Sequence, residues 1–205
     1  MQLHTAQYAG PEEFTGQRVV VAGWGASATQ HLLEIAPYAA SITWVTRRTP
    51  AFGEGPFDEE AGRAAVALAE ERVRQGLPPR SAVSAAGLPL NDAVRAGLEP
   101  GVLDRRPMFD RILPEGVAWS DGRRVAADVI LRATGFRAAV DRLGPLQLRE
   151  PGGGIRVEGT RAVADPRIHL VGYGPSASTI GANRAGHAAG RDIRRLLAEP
   201  VPLAA

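Results

Sequence analysis

The apolar residues of this chain occur in short uninterrupted runs, separated by turns that are rich in glycine and proline. The first run, residues 19–22, consists of small and mostly β-branched residues, which is typical of a strand buried on both faces. A turn with Gly23 and Gly25 follows, and a helical pattern then extends from Thr29 to about Pro37. Strand, glycine turn and helix in this order are typical of a dinucleotide-binding βαβ unit.

Later runs predict that strands and helices alternate along the chain. A second strand is expected at residues 42–46, and the segment 51–56, rich in glycine and proline, predicts a loop. The remaining predicted elements are helices at 57–75 and 90–98, short strands at 108–112, 116–119 and 123–126, a buried strand at 128–133, a strand at 168–171 and a final helix at 179–197. The predicted fold class is therefore α/β, with a Rossmann-like parallel sheet.

The glycine turn predicts a binding site for the pyrophosphate of a dinucleotide. Gly23 permits the sharp turn after the strand, and Gly25 lets the backbone approach the phosphates. Ala28 is small enough for the helix to pack on the strand, while the backbone N–H groups around Ala26 and Ser27 face an anion at the helix start. Glycine turns between a strand and a helix also occur without ligands, so a purely structural turn is the alternative.

The residues after the second strand predict which nucleotide binds. NAD-binding chains usually carry an acidic residue there, which accepts a hydrogen bond from the ribose 2′-hydroxyl. This chain has Arg47 and Arg48 instead, with no acid nearby. A carboxylate would repel a 2′-phosphate, whereas arginine binds it through a fork of N–H donors. We therefore predict NADP(H) rather than NAD(H), the alternative being a solvated basic pair at a strand end.

Composition and charge exclude several functional classes. Of the 205 residues, 44% are hydrophobic and 22% are charged, and the net charge is +2 without a basic block interleaved with aromatics, so we expect no nucleic-acid partner. The absence of cysteine excludes disulfides and thiolate chemistry, and the four scattered histidines predict no metal site. No apolar run reaches the roughly 20 residues of a membrane span, so we expect no membrane partner and a cytoplasmic location.

Two further stretches carry a family resemblance. Residues 133–136, Ala-Thr-Gly-Phe, together with the turn at Gly23, resemble the two-dinucleotide-domain flavoproteins and in particular the flavin-containing monooxygenases. In that family such a stretch links the NADP domain to the FAD domain. Residues 4–8, His-Thr-Ala-Gln-Tyr, look like the second half of the monooxygenase signature, which lies just upstream of the NADP glycine turn. The resemblance implies cofactor-binding roles for Thr134 and Gly135.

The same resemblance extends to the carboxyl-terminal part of the chain. Residues 168–174 resemble the strand and loop that return to the flavin in these enzymes, and the following helix would direct its N-terminus at the isoalloxazine ring. A positive helix end stabilises the negative charge of reduced flavin. The resemblance implies cofactor-binding roles for Gly172, Tyr173 and Asn183. The alternative is an ordinary strand, loop and helix with glycines for close packing.

The resemblance implies a domain organisation and a function. Residues 1–17 would be a lead-in, 18–132 the NAD(P)-binding domain and 133–205 the C-terminal part of the FAD-binding domain. The family's first glycine fingerprint, for the ADP half of FAD, has no counterpart in this sequence. We therefore expect either a truncated chain or one that a separate FAD-domain chain or a homo-oligomer completes.

The implied reaction is hydride transfer from NADPH to FAD, followed by oxygen activation. We assign no catalytic side chain and no substrate. Two alternatives stay open, namely a standalone NAD(P)-binding module and an inactive remnant that binds no flavin.

Overall fold

The computed structural model describes residues 1–53, 59–80, 87–98 and 101–198. By their contacts, these residues form two compact units. Residues up to 53 and from 87 to 136 belong to the first unit, whereas residues 59–80 and those from 137 onward belong to the second.

The described elements have the following bounds. The strands are β1 Gln2–His4, β2 Arg18–Ala22, β3 Ser41–Thr46, β4 Phe52–Gly53, β5 Leu88–Pro89, β6 Arg105–Pro107, β7 Arg111–Leu113, β8 Gly116–Ala118, β9 Arg124–Ala126, β10 Val129–Arg132, β11 Val157–Glu158 and β12 Arg161–Ala162. The α-helices are α1 Ala26–Ile35, α2 Glu59–Arg74, α3 Asp92–Leu98 and α4 Thr179–Ala198. Short 3-10 helices cover Thr5–Gln7, Pro11–Phe14, Asp141–Leu146 and Gly174–Ser176.

The first unit contains a five-stranded parallel sheet with the order β1, β10, β2, β3, β6. In the central strand β2, Val20 lies opposite Ile130 on one side and Thr43 on the other. From β2 the chain continues through α1 to β3 on one side, but it reaches β10 on the other side only after several further elements, so the strand order reverses at β2. The predicted α/β class with a Rossmann-like parallel sheet is confirmed.

Apolar clusters on the two faces of this sheet explain the uninterrupted apolar run in β2. Val19 and Val21 lie in a buried cluster with Leu32 of α1. Val20 lies in a second cluster with Val117 of β8, which belongs to the antiparallel sheet β7, β8, β9. Because successive side chains of a strand point to opposite faces, both faces of β2 are covered.

A smaller apolar cluster forms the core of the second unit. Val73 of α2 is buried there together with Ile155 and Tyr173. Gly174 lies so close to Val73 that a β-carbon on the glycine would come within 2.8 Å of a valine methyl. The two strands of this unit have two residues each, and Ala189 is the buried residue among the described side chains of α4.

Two predicted strands are wrong. The strand predicted at 108–112 is replaced by β6 and β7, because residues 105–107 pair with β3 whereas residues 111–113 pair with β8. The chain thus changes sheets within the predicted strand. Residues 168–171 form no strand, because the pairing there is one isolated bridge between His169 and Arg161.

The segment predicted as a lead-in contributes to the sheet. Within residues 1–17, β1 forms an edge strand in which Leu3 lies opposite Leu131 of β10. The nucleotide-binding domains predicted at 18–132 and 133–205 stay a prediction, and by contacts α2 belongs with the later residues. Parts of the predicted loop 51–56 and of the helix 57–75 lie outside the described residues.

Candidate functional site

The glycine turn lies at the carboxyl end of β2, where the strand order reverses, which is where open parallel sheets bind ligands. Gly23 has a φ of +141°, and a β-carbon on it would overlap the carbonyl oxygen of Ala133. Its amide donates to the Val45 oxygen over 3.0 Å, and its carbonyl accepts from the Trp44 indole over 2.6 Å. Glycine is therefore required at position 23 for steric reasons alone.

Gly25 is placed differently, because nothing lies within 4 Å of the position that a β-carbon on it would occupy. It is the N-cap of α1, and its carbonyl accepts from the amide of Ala28 over 2.8 Å. Ala26 and Ser27 are exposed, whereas Ala28 is completely buried. The helix start is thus open to solvent, and its first N–H groups have no partner within the helix itself.

The segment after β10 lies beside this turn. The amide of Ala133 donates to the oxygen of Ala22 over 2.8 Å, which keeps the two strand ends together. Thr134 and Gly135 are exposed, and Gly135 has a φ of +79° with open space around its α-carbon. The structure therefore brings Thr134 and Gly135 to the same edge of the sheet as the glycine turn.

Three arginines lie around the end of β3. Arg47 and Arg48 are exposed, and the Thr46 hydroxyl donates to the Arg48 carbonyl over 2.6 Å. Arg105 of β6 donates through Nε to the Thr46 hydroxyl over 2.8 Å and through a terminal nitrogen to the Thr46 carbonyl over 3.3 Å. Arg105 therefore supports the turn that carries Arg47 and Arg48. It was not predicted, because the Arg-Arg-Pro sequence of β6 has no apolar run.

His4 of the half-signature contacts the segment after β10. Its Nδ1 accepts from the amide of Ala6 over 3.2 Å, so Nε2 carries the proton and donates to the carbonyl of Gly135, also over 3.2 Å. The ring of Phe136 packs edge-on against His4 with 5.2 Å between centroids. His4 thus joins the N-terminal strand to the Ala-Thr-Gly-Phe segment.

Tyr8, the last residue of the half-signature, packs on α1. Its hydroxyl donates to the Glu34 carboxylate over 2.9 Å, and its ring centroid lies 4.1 Å from that of His31. His31 Nε2 lies 2.5 Å from the Thr5 hydroxyl, and burial lowers the pKa of His31. Burial, and then the bond to Glu34, raise the pKa of Tyr8. These contacts of Thr5 and Tyr8 hold residues 5–8 against the helix that begins at the glycine turn.

The predicted site residues of the second unit are largely used within that unit. Tyr173 is 5% exposed, and its hydroxyl accepts from the amide of Ile155 over 2.8 Å. The amides of Gly172 and Tyr173 both donate to the Ser176 hydroxyl, over 3.0 and 3.1 Å. Asn183 is exposed on α4. The cofactor roles of Gly172, Tyr173 and Asn183 stay predictions.

The part of the chain that the structure describes contains no group of three or more histidine, aspartate or glutamate side chains that could hold a metal ion. No helix in that part of the chain is long and apolar enough to cross a membrane.

Comparison with known proteins points to flavoproteins. No protein-family model matches the sequence, and no curated protein matches it. Among solved structures, a flavin-containing monooxygenase from Stenotrophomonas maltophilia is 33% identical with a TM-score of 0.72, the match covering 97% of this chain and 56% of the enzyme. A doubly substituted mutant of the flavin monooxygenase from that organism gives 33% identity, a TM-score of 0.70 and coverages of 98% and 56%. The bacillithiol disulfide reductase of Bacillus cereus shares the fold at 14% identity, with a TM-score of 0.59 and coverages of 95% and 54%.

The chain shares its fold with flavin monooxygenases and with other oxidoreductases. It is a flavin monooxygenase-like protein, as the sequence motifs predicted. The chain spans 56% of the length of the Stenotrophomonas enzyme.

Proposed function

We propose that this chain is the NADPH-binding part of an FAD-dependent oxidoreductase of the monooxygenase-like type. One observation carries the proposal: the open start of α1 lies at the strand-order reversal, at the same sheet edge as the exposed arginines after β3. Such a reversal is the usual ligand crevice of an open parallel sheet.

The start of α1 fits a pyrophosphate. Gly25 has no side chain, and the space beside it is free, so a phosphate can approach the backbone closely. The first N–H groups of a helix lack intrahelical partners and lie at the positive end of the helix dipole, which favours an anion. Ala26 and Ser27 would supply these donors, and the buried Ala28 keeps α1 close to the sheet.

The turn after β3 fits a 2′-phosphate better than a 2′-hydroxyl. Arg47 and Arg48 offer exposed guanidinium groups, and no aspartate or glutamate occurs between residues 35 and 53 to accept from a hydroxyl. Arg105 holds Thr46 at the start of this turn and adds a third positive charge. Bidentate arginine contacts to phosphate are strong and geometrically specific.

The chemistry follows the family resemblance. When bound, NADPH supplies a hydride to FAD, and the reduced flavin supplies electrons to dioxygen. The residues of this chain would hold NADPH through the glycine turn and the arginines. Thr134, Gly135, Gly172, Tyr173 and Asn183 are proposed to lie toward the flavin. A separate FAD-domain chain or a homo-oligomer is the proposed partner.

Nucleotide titration tests the proposal. We expect the purified chain to bind NADPH more tightly than NADH, and Arg48→Gln to weaken NADPH binding by about 10- to 100-fold while leaving NADH binding unchanged, since one charge-assisted contact to the 2′-phosphate is lost. Arg106→Gln is the matched control, because Arg106 is an exposed arginine of β6 whose side chain alternates to the opposite face from Arg105.

Three outcomes would contradict parts of the proposal. Equal affinity for NADPH and NADH would contradict the choice of nucleotide, and no binding of either would indicate the inactive remnant. We expect the chain alone to lack absorbance at about 450 nm, which is characteristic of bound flavin. A stoichiometric flavin signal would show instead that this chain binds FAD by itself.

A further inference from the structure

Both backbone groups of Gly23 are held by neighbouring residues of β3. The Gly23 amide donates to the Val45 carbonyl over 3.0 Å, and the Gly23 carbonyl accepts from Nε1 of Trp44 over 2.6 Å. The first bond joins two backbones and needs no particular side chain. The second requires an N–H at the edge of a large aromatic ring, which tryptophan supplies and phenylalanine does not.

Trp44 is firmly placed to make this contact. Its side chain is 1% exposed, and it belongs to the buried cluster that includes Ala28 and Leu32 of α1. The ring therefore lies in the core between strand and helix, with its N–H directed at the turn that joins β2 to α1. A buried indole N–H without a partner is unfavourable, so packing and hydrogen bonding favour the same position.

The bond sets the orientation of the peptide between Gly23 and Trp24. In a trans peptide the carbonyl and the next amide point in opposite directions. Because the Gly23 oxygen faces the Trp44 indole in the core, the amide of Trp24 points away from that ring. The negative end of this peptide is thereby kept from the phosphate side of the turn, where it would repel an anion.

We infer that Trp44 is a positioning residue for dinucleotide binding, and that it orients the glycine turn through its indole N–H. This inference rests on the proposed nucleotide function. Trp44 acts through the turn, on the pyrophosphate that NADPH and NADH share. Removing the indole N–H should therefore weaken the binding of both nucleotides by the same factor. A change at Arg48 should differ, because Arg48 acts on the 2′-phosphate.

The test compares two identical substitutions in the full chain. Trp44→Phe removes the N–H that holds the turn. Trp119→Phe removes an equivalent N–H, since Trp119 is 4% exposed and donates to the Pro107 carbonyl over 2.9 Å, in the apolar cluster on the opposite face of the sheet from Trp44. We expect Trp44→Phe to weaken the binding of NADPH and of NADH alike, by about 10-fold, which corresponds to the loss of one modest hydrogen bond. We expect Trp119→Phe to change neither affinity, although both variants lower the Tm.

Benzothienylalanine at position 44 replaces the N–H by sulfur at nearly constant ring volume, and it serves if Trp44→Phe does not fold. Affinities that match those of Trp119→Phe would overturn the inference. A loss of affinity for NADPH alone would also overturn the inference, because it would mean that the substitution acts through the arginines.

Amide hydrogen exchange in the ligand-free protein separates this inference from the proposed function. If Trp44 orients the turn, Trp44→Phe should accelerate exchange of the Gly23 amide relative to Trp119→Phe. A wild-type chain that binds neither nucleotide would overturn the proposed function and the nucleotide role of Trp44, whereas equal exchange rates in the two variants would overturn its hold on the turn.

Discussion

The two compact units differ in how they use the polar groups of their loops. In the first unit, the turn after β2 directs Gly25 and the start of α1 toward open space. In the second unit, the loop before α4 uses its own donors, because the amides of Gly172 and Tyr173 bond to the Ser176 hydroxyl. Open donors supported by a rigid sheet can bind an anion, whereas donors that are already satisfied mainly stabilise their own loop.

Their cores differ in the same direction. In the first unit, β2 and β3 have five and six residues, and apolar clusters cover both faces of the sheet. In the second unit, β11 and β12 have two residues each, and α4 leaves Leu197 79% exposed. The first unit thus supports its candidate site with long strands, and the second relies on packing around Val73, Ile155 and Tyr173.

Single core substitutions give the largest expected effects and test whether the units are independent. Leu32→Ala removes a completely buried side chain from the first unit and should lower the free energy of unfolding by about 4 kcal/mol. All three tryptophans lie in the first unit, at positions 24, 44 and 119, so their fluorescence reports its unfolding. We therefore expect the fluorescence transition in urea to shift to lower concentration.

Ile155→Ala is the matched change in the second unit, since Ile155 is 1% exposed. The buried clusters of the two units share no residue. Ile155→Ala should therefore shift the loss of the helical circular-dichroism signal, to which α2 and α4 contribute, to a lower urea concentration. The fluorescence transition should stay in place. If both signals shift together in each variant, the chain unfolds cooperatively as a whole, and the two units are not independent.

The fold of the first unit could be predicted because its strands are buried on both faces. The apolar run at Val19–Val21 and the glycine turn after it are local signals, and each matches an observed element. Residues 168–171, Ile-His-Leu-Val, are also a mostly apolar run but form one bridge, since strand formation there depends on a partner, β12, of two residues. Whether a partner is available is a property of the tertiary structure and cannot be read from the run itself.

The candidate site could be predicted only where one segment determines it. The glycine turn and the basic pair at Arg47 and Arg48 are such cases. Arg105, Trp44 and the bond from His4 to Gly135 were missed, because each joins residues that are distant in the sequence. Their contacts arise from strand order, which the apolar pattern does not determine.

Glycine substitutions give the next largest effect and compare the two loops directly. Gly23→Ala places a β-carbon onto the Ala133 carbonyl at a φ of +141°, so we expect a loss of about 3 kcal/mol from strain and overpacking together. Gly172→Ala also has a positive φ, +79°, but its surroundings are open, so we expect a loss of about 1 kcal/mol. Urea denaturation measures both losses in the free energy of unfolding. Equal losses would mean that the turn after β2 shifts to accommodate the added β-carbon.

Acid titration gives the smallest expected effect and compares an ion pair in each unit. Asp128 binds the Arg18 side chain over 2.6 and 2.9 Å and its amide over 2.8 Å, which links β2 to the residue before β10. These bonds hold the pKa of Asp128 well below its usual value. In the second unit, hydrogen bonds from Arg167 lower the pKa of Asp165 to about 2, within a single turn.

Both carboxylates bind fewer protons in the folded state than in the unfolded chain. Their stabilisation is therefore complete above about pH 5 and is lost as the pH falls through about 4 toward the folded pKa. We expect Asp128→Asn to lower the Tm at pH 6 and to flatten its decrease in acid more than Asp165→Asn does. The reason is that Asp128 restrains two strands whose pairing residues are 110 positions apart, whereas Asp165 and Arg167 are two apart. Equal flattening in both variants would mean that the Arg18 pair adds no more to its sheet than a local turn contact does.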